Sequence, residues 1–127
     1  MKNIYAVQAT PKSPKIQGDI EKGTLHIGGK SLPEDARAFY SPFKEWLEAF
    51  YNSDATEIFV SFEFEYYNTV SSKLIWTMLQ ELKKISANKK VSVEWRYEKD
   101  DIEMEETGQD FKRLVGDMIT LKPVEVA

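Results

Sequence analysis

Phe62-Glu63-Phe64-Glu65-Tyr66-Tyr67-Asn68-Thr69-Val70-Ser71-Ser72-Lys73 is the stretch on which the fold turns. Leading into it, Ile58, Val60, Phe62, Phe64 and Tyr66 alternate with Phe59, Ser61, Glu63, Glu65 and Tyr67. That is the period of two of a strand with one buried face and one largely polar face. Leading out of it, Leu74, Ile75, Met78, Leu79, Leu82 and Ile85 recur at three and four residues, a helical stripe. Lys73, Gln80, Lys83 and Lys84 take much of the opposite side. The period changes between Tyr67 and Ser71, so Asn68, Thr69, Ser71 and Ser72 stand at the junction. A helix start carries unpaired N–H groups and a positive dipole end, a favourable place for an anion. A phosphate on one of these hydroxyls would add about −1.5 to −2 charges there. A plainer reading makes Asn68 or Thr69 an N-cap and nothing more. Local spacing leaves both open.

Working outward, Val91, Val93, Trp95 and Tyr97 alternate with Ser92, Glu94 and Arg96. Strand, helix, strand at these lengths is a βαβ unit with a right-handed crossover. A doubly wound sheet buries both faces and reads as continuous apolar runs. The polar alternation predicts a different α/β architecture: a single domain with a mixed sheet and helices mainly on one face. Upstream, Ile16 to Ile20 and Thr24 to Ile27 read as a hairpin about Glu21-Lys22-Gly23, and Gly28-Gly29-Lys30 closes the second strand. In Ser31-Leu32-Pro33-Glu34-Asp35 a helix can begin, with Ser31 or a neighbour as cap, Pro33 in the first turn and Glu34 and Asp35 complementing the dipole. Phe39, Phe43, Trp46, Leu47, Phe50 and Tyr51 continue the stripe, and Pro42 predicts a break near Ser41. A short helix around Asp110 to Val115 and a strand around Met118 to Lys122 close the chain. Residues 1–15, with Pro11, Ser13 and Pro14, read as a loose lead-in.

Composition narrows the function. The chain has 127 residues, 42% hydrophobic and 30% charged, enough for one core without staples. Having no cysteine, it has no disulfide, thiol nucleophile or thiolate metal site. The net charge of −4 argues against a nucleic-acid binder that works by phosphate neutralisation. Met1 to Val7 has too short an apolar run for a signal peptide, and no stretch approaches the ~20 apolar residues of a membrane span. A soluble cytoplasmic protein is the expectation.

No constellation reads as catalytic, and none calls for a metal or cofactor. Glu63, Glu65 and Glu94 could pass for paired carboxylates, but acid–base work needs a closed pocket that the chain does not advertise. A solvated or partner-facing surface, with Arg96 beside one carboxylate, is the simpler reading; a small enzyme using this face is the outlying one. His26, the single histidine, sits in an apolar strand and reads as packed. The acidic run Asp100 to Glu106 lacks the Gly and Glu positions of an EF-hand and reads as a solvated helix start.

Four segments, in order over nearly the whole chain, carry a family likeness: Gly29-Lys30-Ser31-Leu32-Pro33-Glu34-Asp35-Ala36, Phe43-Lys44-Glu45-Trp46-Leu47, Phe64 through Lys73, and Asp101-Ile102-Glu103-Met104-Glu105-Glu106-Thr107-Gly108-Gln109-Asp110-Phe111. With them the chain resembles the SiaC family of bacterial regulatory phosphoproteins. The resemblance implies an anti-sigma-factor-antagonist-like (STAS-like) fold and no chemistry of its own. It implies phosphorylation of a hydroxyl in the E-Y-x-N-T-x-S-S segment by a serine/threonine kinase with a histidine-kinase-like ATPase fold. Removal by a PP2C-type phosphatase is implied too, as is a diguanylate cyclase effector bound by the unphosphorylated form. Carried over, the phosphoacceptor falls on Thr69, with Ser71 and Ser72 as alternatives, and Glu65, Tyr67, Asn68, Ser71 and Ser72 face partners. Val70 stands where many members have a small hydroxyl residue, which removes one acceptor and leaves Thr69. A STAS-like module that antagonises a sigma-regulator kinase, with Thr69 only a cap, is the other reading of the same fold.

Overall fold

The computed structural model describes residues 4–32 and 35–125. Its six strands are β1 (Ile4–Val7), β2 (Lys15–Asp19), β3 (Thr24–Ser31), β4 (Glu57–Tyr67), β5 (Lys90–Glu98) and β6 (Ile119–Val124). Its helices are α1 (Ala36–Tyr51), α2 (Thr69–Ile85) and α3 (Ile102–Val115), with a single 3₁₀ turn at Gly116–Met118 before β6. The strands form one mixed sheet in chain order. The pairs β1–β2 and β2–β3 are antiparallel, and β3–β4, β4–β5 and β5–β6 are parallel. Each parallel crossover steps one strand further in the same direction. Crossovers of one hand then deliver every helix to the same face. Accordingly α1 packs beside α2, and α2 beside α3. Phe43, Phe50, Ile75, Leu79, Phe62 and Trp95 fill the space between helices and sheet. The opposite face carries Gln17, His26, Ser61, Glu63, Glu94 and Arg96, as the alternation requires.

Several elements depart from the sequence expectation. The expected loose lead-in is ordered in part: residues 1–3 lie outside the described residues, residues 8–14 form no regular element, and Ile4–Val7 forms an edge strand on β2, where Tyr5 and Val7 rest on the core. Four residues are too few for a periodicity to show; pairing supplies what propensity does not. The Ser41 break does not occur, and α1 runs through Pro42. Pro42 is exposed while Tyr40, Phe43, Trp46 and Leu47 are buried on either side. That burial, ~1.5–3 kcal/mol per large side chain, offsets the ~3 kcal/mol that an interior proline costs. Asp35, not Ser31, caps α1, and Ser31 ends β3 instead; Pro33 and Glu34 lie outside the described residues. The last helix is longer than expected. It starts at Ile102, where the acidic run supplies the cap Asp101 and first-turn Glu103 and Glu105.

Trp95 anchors α3. Its ring centroid lies 5.3 Å from Phe111 and 5.8 Å from Phe62, and its Nε1 donates to the Met104 carbonyl at 3.0 Å. α3 can come this close because Gly108 faces the ring. A Cβ there would sit 2.3 Å from Leu121 Cδ2 and 2.5 Å from Trp95 Cδ1. Two effects oppose each other in Gly108→Ala. Helix propensity gains up to ~1 kcal/mol, while overpacking a fixed core costs ~1–3 kcal/mol. The clash is with an indole held on three sides, so packing wins. The variant is expected to lower the denaturant midpoint at unchanged m-value; an unchanged or higher midpoint would contradict this packing.

Candidate functional site

The parallel strands β3, β4 and β5 end at one edge of the sheet, and all three helices begin there. Each start is capped by a side chain that accepts the N–H three residues further on: Asp35 from Ala38 at 3.1 Å, Asn68 from Ser71 at 2.9 Å, Asp101 from Met104 at 3.1 Å. Two of these caps are carboxylates. α2 differs: its cap is a neutral amide and its first turn holds no acid. Its positive dipole end is therefore the one of the three to which neither the cap nor the first turn brings a carboxylate.

Thr69 is the first residue of that helix and is exposed. Asn68 provides the cap, so the Thr69 hydroxyl is not spent on one, and no described side chain engages it. The N–H groups of Thr69 and Val70 find no backbone acceptor among the described residues. Lys73 follows one turn later on the same side of the helix, exposed. A charge of −2 on Thr69 would thus meet free N–H donors, a dipole end and a lysine.

Leading to it, β4 is irregular. Its register with β3 slips between Gly29 and Lys30, so that Glu65 is an extra residue opposite no partner. Gly29 takes φ +107°, which lets β3 follow the distortion. The bulge reverses the alternation. Tyr66, expected on the buried face, is 55% exposed, whereas Tyr67 turns inward with its ring edge-on to Phe64 at 5.7 Å. Burial raises the Tyr67 phenol pKa, partly opposed by the neighbouring Thr107 hydroxyl. Glu65, Tyr66, Thr69 and Val70 (51% exposed) thereby share the surface. Sequence reasoning passed over Tyr66 as part of this surface, because a bulge leaves no mark in the pattern of two; Val70 joins it from the first turn of α2.

The other junction residues serve the fold. Ser71 is fully buried, its Oγ bonded to Ser31, and its hydroxyl is out of reach of a kinase or partner in this fold. That argues against Ser71 as acceptor or contact. Ser72 is half-buried, its N–H bonded to the Asn68 carbonyl.

On the open face, Arg96 Nε lies 3.1 Å from Glu63 and 3.4 Å from Glu94. Both carboxylates are held to one guanidinium rather than set apart as acid and base. His26 is half-buried there, its Nδ1 2.6 Å from Ser61 Oγ, rather than packed among apolar side chains. Burial lowers its pKa; Glu63 opposes this, while Lys15 and Arg96 reinforce it. A histidine whose folded pKa is depressed binds fewer protons folded than unfolded, so stability falls as pH drops below the unfolded value of ~6.5. Thermal midpoints of the wild type are expected to fall from pH 7 toward pH 5 more steeply than those of His26→Gln. Parallel curves would remove His26 from the acid limb.

Residues 7–124 match the family described as SiaC family regulatory phosphoprotein. An uncharacterized protein of Pseudomonas aeruginosa strain UCBPP-PA14 is 26% identical over 107 residues, 84% of this chain and 85% of that protein. The fold is similar to the crystal structure of apo-SiaC from Pseudomonas aeruginosa, with TM-score 0.86 and 24% identity over 95% of this chain and 99% of that one. It is also similar to a chain in the crystal structure of the diguanylate cyclase SiaD in complex with its activator SiaC from the same organism. There the TM-score is 0.89 at 23% identity, over 94% of this chain and 99% of that one. No helix among the described residues is long and apolar enough to cross a membrane. With a match that runs from the last residue of β1 to the last residue of β6, this chain belongs to the SiaC family of regulatory phosphoproteins.

Proposed function

We propose that this chain is a non-enzymatic cytoplasmic signalling protein whose binding to an effector is switched by reversible phosphorylation of Thr69. The observation that carries this is the exposed Thr69 hydroxyl, engaged by no described side chain, at the one α-helix start whose cap and first turn lack a carboxylate. A serine/threonine kinase of the histidine-kinase-like ATPase fold adds the phosphate, and a PP2C-type phosphatase removes it. The effector is a diguanylate cyclase, a partner suggested by the complex of SiaD with its activator SiaC.

Unphosphorylated, the site offers Tyr66 and Val70, both more than half exposed, around a neutral hydroxyl. This is a surface on which a partner's apolar side chains can settle at little desolvation cost. Phosphorylated, the same spot holds a dianion. The helix start and Lys73 accommodate it locally, but burying it under a partner costs several kcal/mol unless the partner supplies a cation. Binding is then lost without any change of fold.

Thr69→Ala is expected to keep the fold, since an exposed residue that is not the cap changes stability by about 0.5 kcal/mol or less. It should abolish phosphorylation by the kinase and retain effector binding. Thr69→Asp should weaken binding incompletely, having one carboxylate in place of a phosphate's charge and acceptors. Phosphosite mapping by mass spectrometry with kinase and Mg-ATP, then effector pull-down with each variant, checks both. Phosphate on a distant Ser or Thr, or equal capture of both phosphoforms, would refute the switch.

A further inference from the structure

Beneath Thr69 lies a chain of buried hydroxyls that the switch does not itself consume. Ser31 at the end of β3 and Ser71 in α2 are 0% exposed, and Tyr40 of α1 is 4% exposed. Tyr40 Oη lies 2.7 Å from Ser31 Oγ, Ser31 Oγ donates to Ser71 Oγ at 2.8 Å, and Ser71 Oγ donates to the Ser31 carbonyl at 3.1 Å. A hydroxyl has one proton. With that of Ser31 committed to Ser71, Tyr40 must be the donor in the first contact. All three protons therefore run one way and end on the Ser31 carbonyl. Burial pushes the Tyr40 phenol pKa up to about 12, so this first proton stays in place through the neutral range.

The Ser31 carbonyl also accepts the Asn68 N–H at 3.1 Å, while Asn68 Oδ1 accepts the Ser71 N–H at 2.9 Å. Residues 68 and 71 are thus both tied to one residue of β3, and Thr69 and Val70 form the knuckle between them. Apolar side chains of similar volume could fill these three buried positions with no hydrogen bond to satisfy. A fully satisfied buried network adds fixed geometry more than net stability. The geometry that it fixes is that of residues 68–71.

We propose that Ser71, Ser31 and Tyr40 are positioning residues for modification of Thr69, a role that rests on the reading of Thr69 as the phosphoacceptor. In that step Thr69 Oγ1 attacks the γ-phosphorus of Mg-ATP. The new O–P bond forms as the bond to the β–γ bridging oxygen breaks, ADP departs, and the hydroxyl proton passes to a base of the kinase. In-line attack demands a set direction for Oγ1, and a small misplacement of an attacking group is enough to slow transfer many-fold. A knuckle pinned at both ends supplies that direction before the kinase binds.

The test is steady-state phosphorylation of the full chain by the ATPase-fold serine/threonine kinase of the same genome with Mg-ATP, read as kcat and KM separately. Backbone amide exchange is measured in parallel. Ser71→Ala should lower kcat about tenfold, and Tyr40→Phe, which cuts only the far end of the chain, should lower it by less. Exchange should quicken in Ser71→Ala at residues 68, 71 and 72, whose N–H groups are hydrogen-bonded in the knuckle. Ile85→Ala, a cavity at the other end of α2, controls for general destabilisation and should leave kcat unchanged. If Ser71→Ala does not fold, Tyr40→Phe carries the same comparison. A wild-type kcat in both hydroxyl variants, or an equal drop in Ile85→Ala, overturns the positioning role and leaves the switch standing. A wild-type chain that accepts no phosphate on Thr69 overturns the switch, and the positioning role with it, before any variant is made.

Discussion

Strand order in this sheet is the constraint from which the rest follows. After the β1–β2–β3 meander the chain makes three parallel crossovers without once reversing direction along the sheet. Crossovers share one hand because a right-twisted strand and a right-handed helix pack back onto a sheet in only that sense. A doubly wound fold covers both faces by reversing direction partway; this one never does. One face is therefore left to polar side chains, and three helix starts are brought to one edge. The open face and the site edge are consequences of the same topology.

At that edge the three starts are chemically unequal. Asp35 and Asp101 satisfy an N–H and also place a negative charge on the dipole, whereas Asn68 satisfies the N–H alone. A carboxylate at a helix start stabilises by ~0.3–1 kcal/mol, so the neutral cap of α2 forgoes a gain that both neighbours take. The fold tolerates this because α2 is held by its buried stripe, including Ile75, Leu79 and Leu82, rather than by its cap. An unneutralised helix start is thus available at small cost to stability.

Much of this was legible in the chain, and the failures share a cause. Where burial follows a regular period, sequence sufficed: the β4–α2–β5 unit, the hairpin of β2 and β3, the helices on one face, and the start of α2 between Tyr67 and Ser71 could all be read from spacing. What escaped depends on partners distant in sequence. Ile4–Val7 is a strand because β2 lies beside it, and α1 survives Pro42 because its aromatics are buried against the sheet. The bulge at Glu65 exists because β3 yields at Gly29. That last feature matters most for the site, since it exchanges Tyr66 and Tyr67 between surface and core. Nor could spacing tell Ser71 from Ser72. One lies over the end of β3, where Ser31 meets it, and the other is turned a hundred degrees away around the helix.

In the proposed switch a single charge acts with opposite sign in two states. In the free protein, a dianion at Thr69 interacts favourably with two N–H groups that have no backbone acceptor among the described residues, the dipole end and Lys73, so the phosphorylated chain is no less folded. Beneath a partner, water and its screening are removed, and those same local groups must replace full hydration. A helix start returns of order 1–2 kcal/mol, while desolvating an unpaired charge costs several. Each 1.4 kcal/mol of the difference is about a tenfold loss of affinity, so a few kcal/mol separate bound from free at ordinary concentrations. No second conformation is required, and a rigid knuckle serves such a device better than a mobile one. Rigidity keeps the hydroxyl aimed at the enzymes that modify it, and it prevents the phosphate from swinging clear of the surface where its charge must be felt.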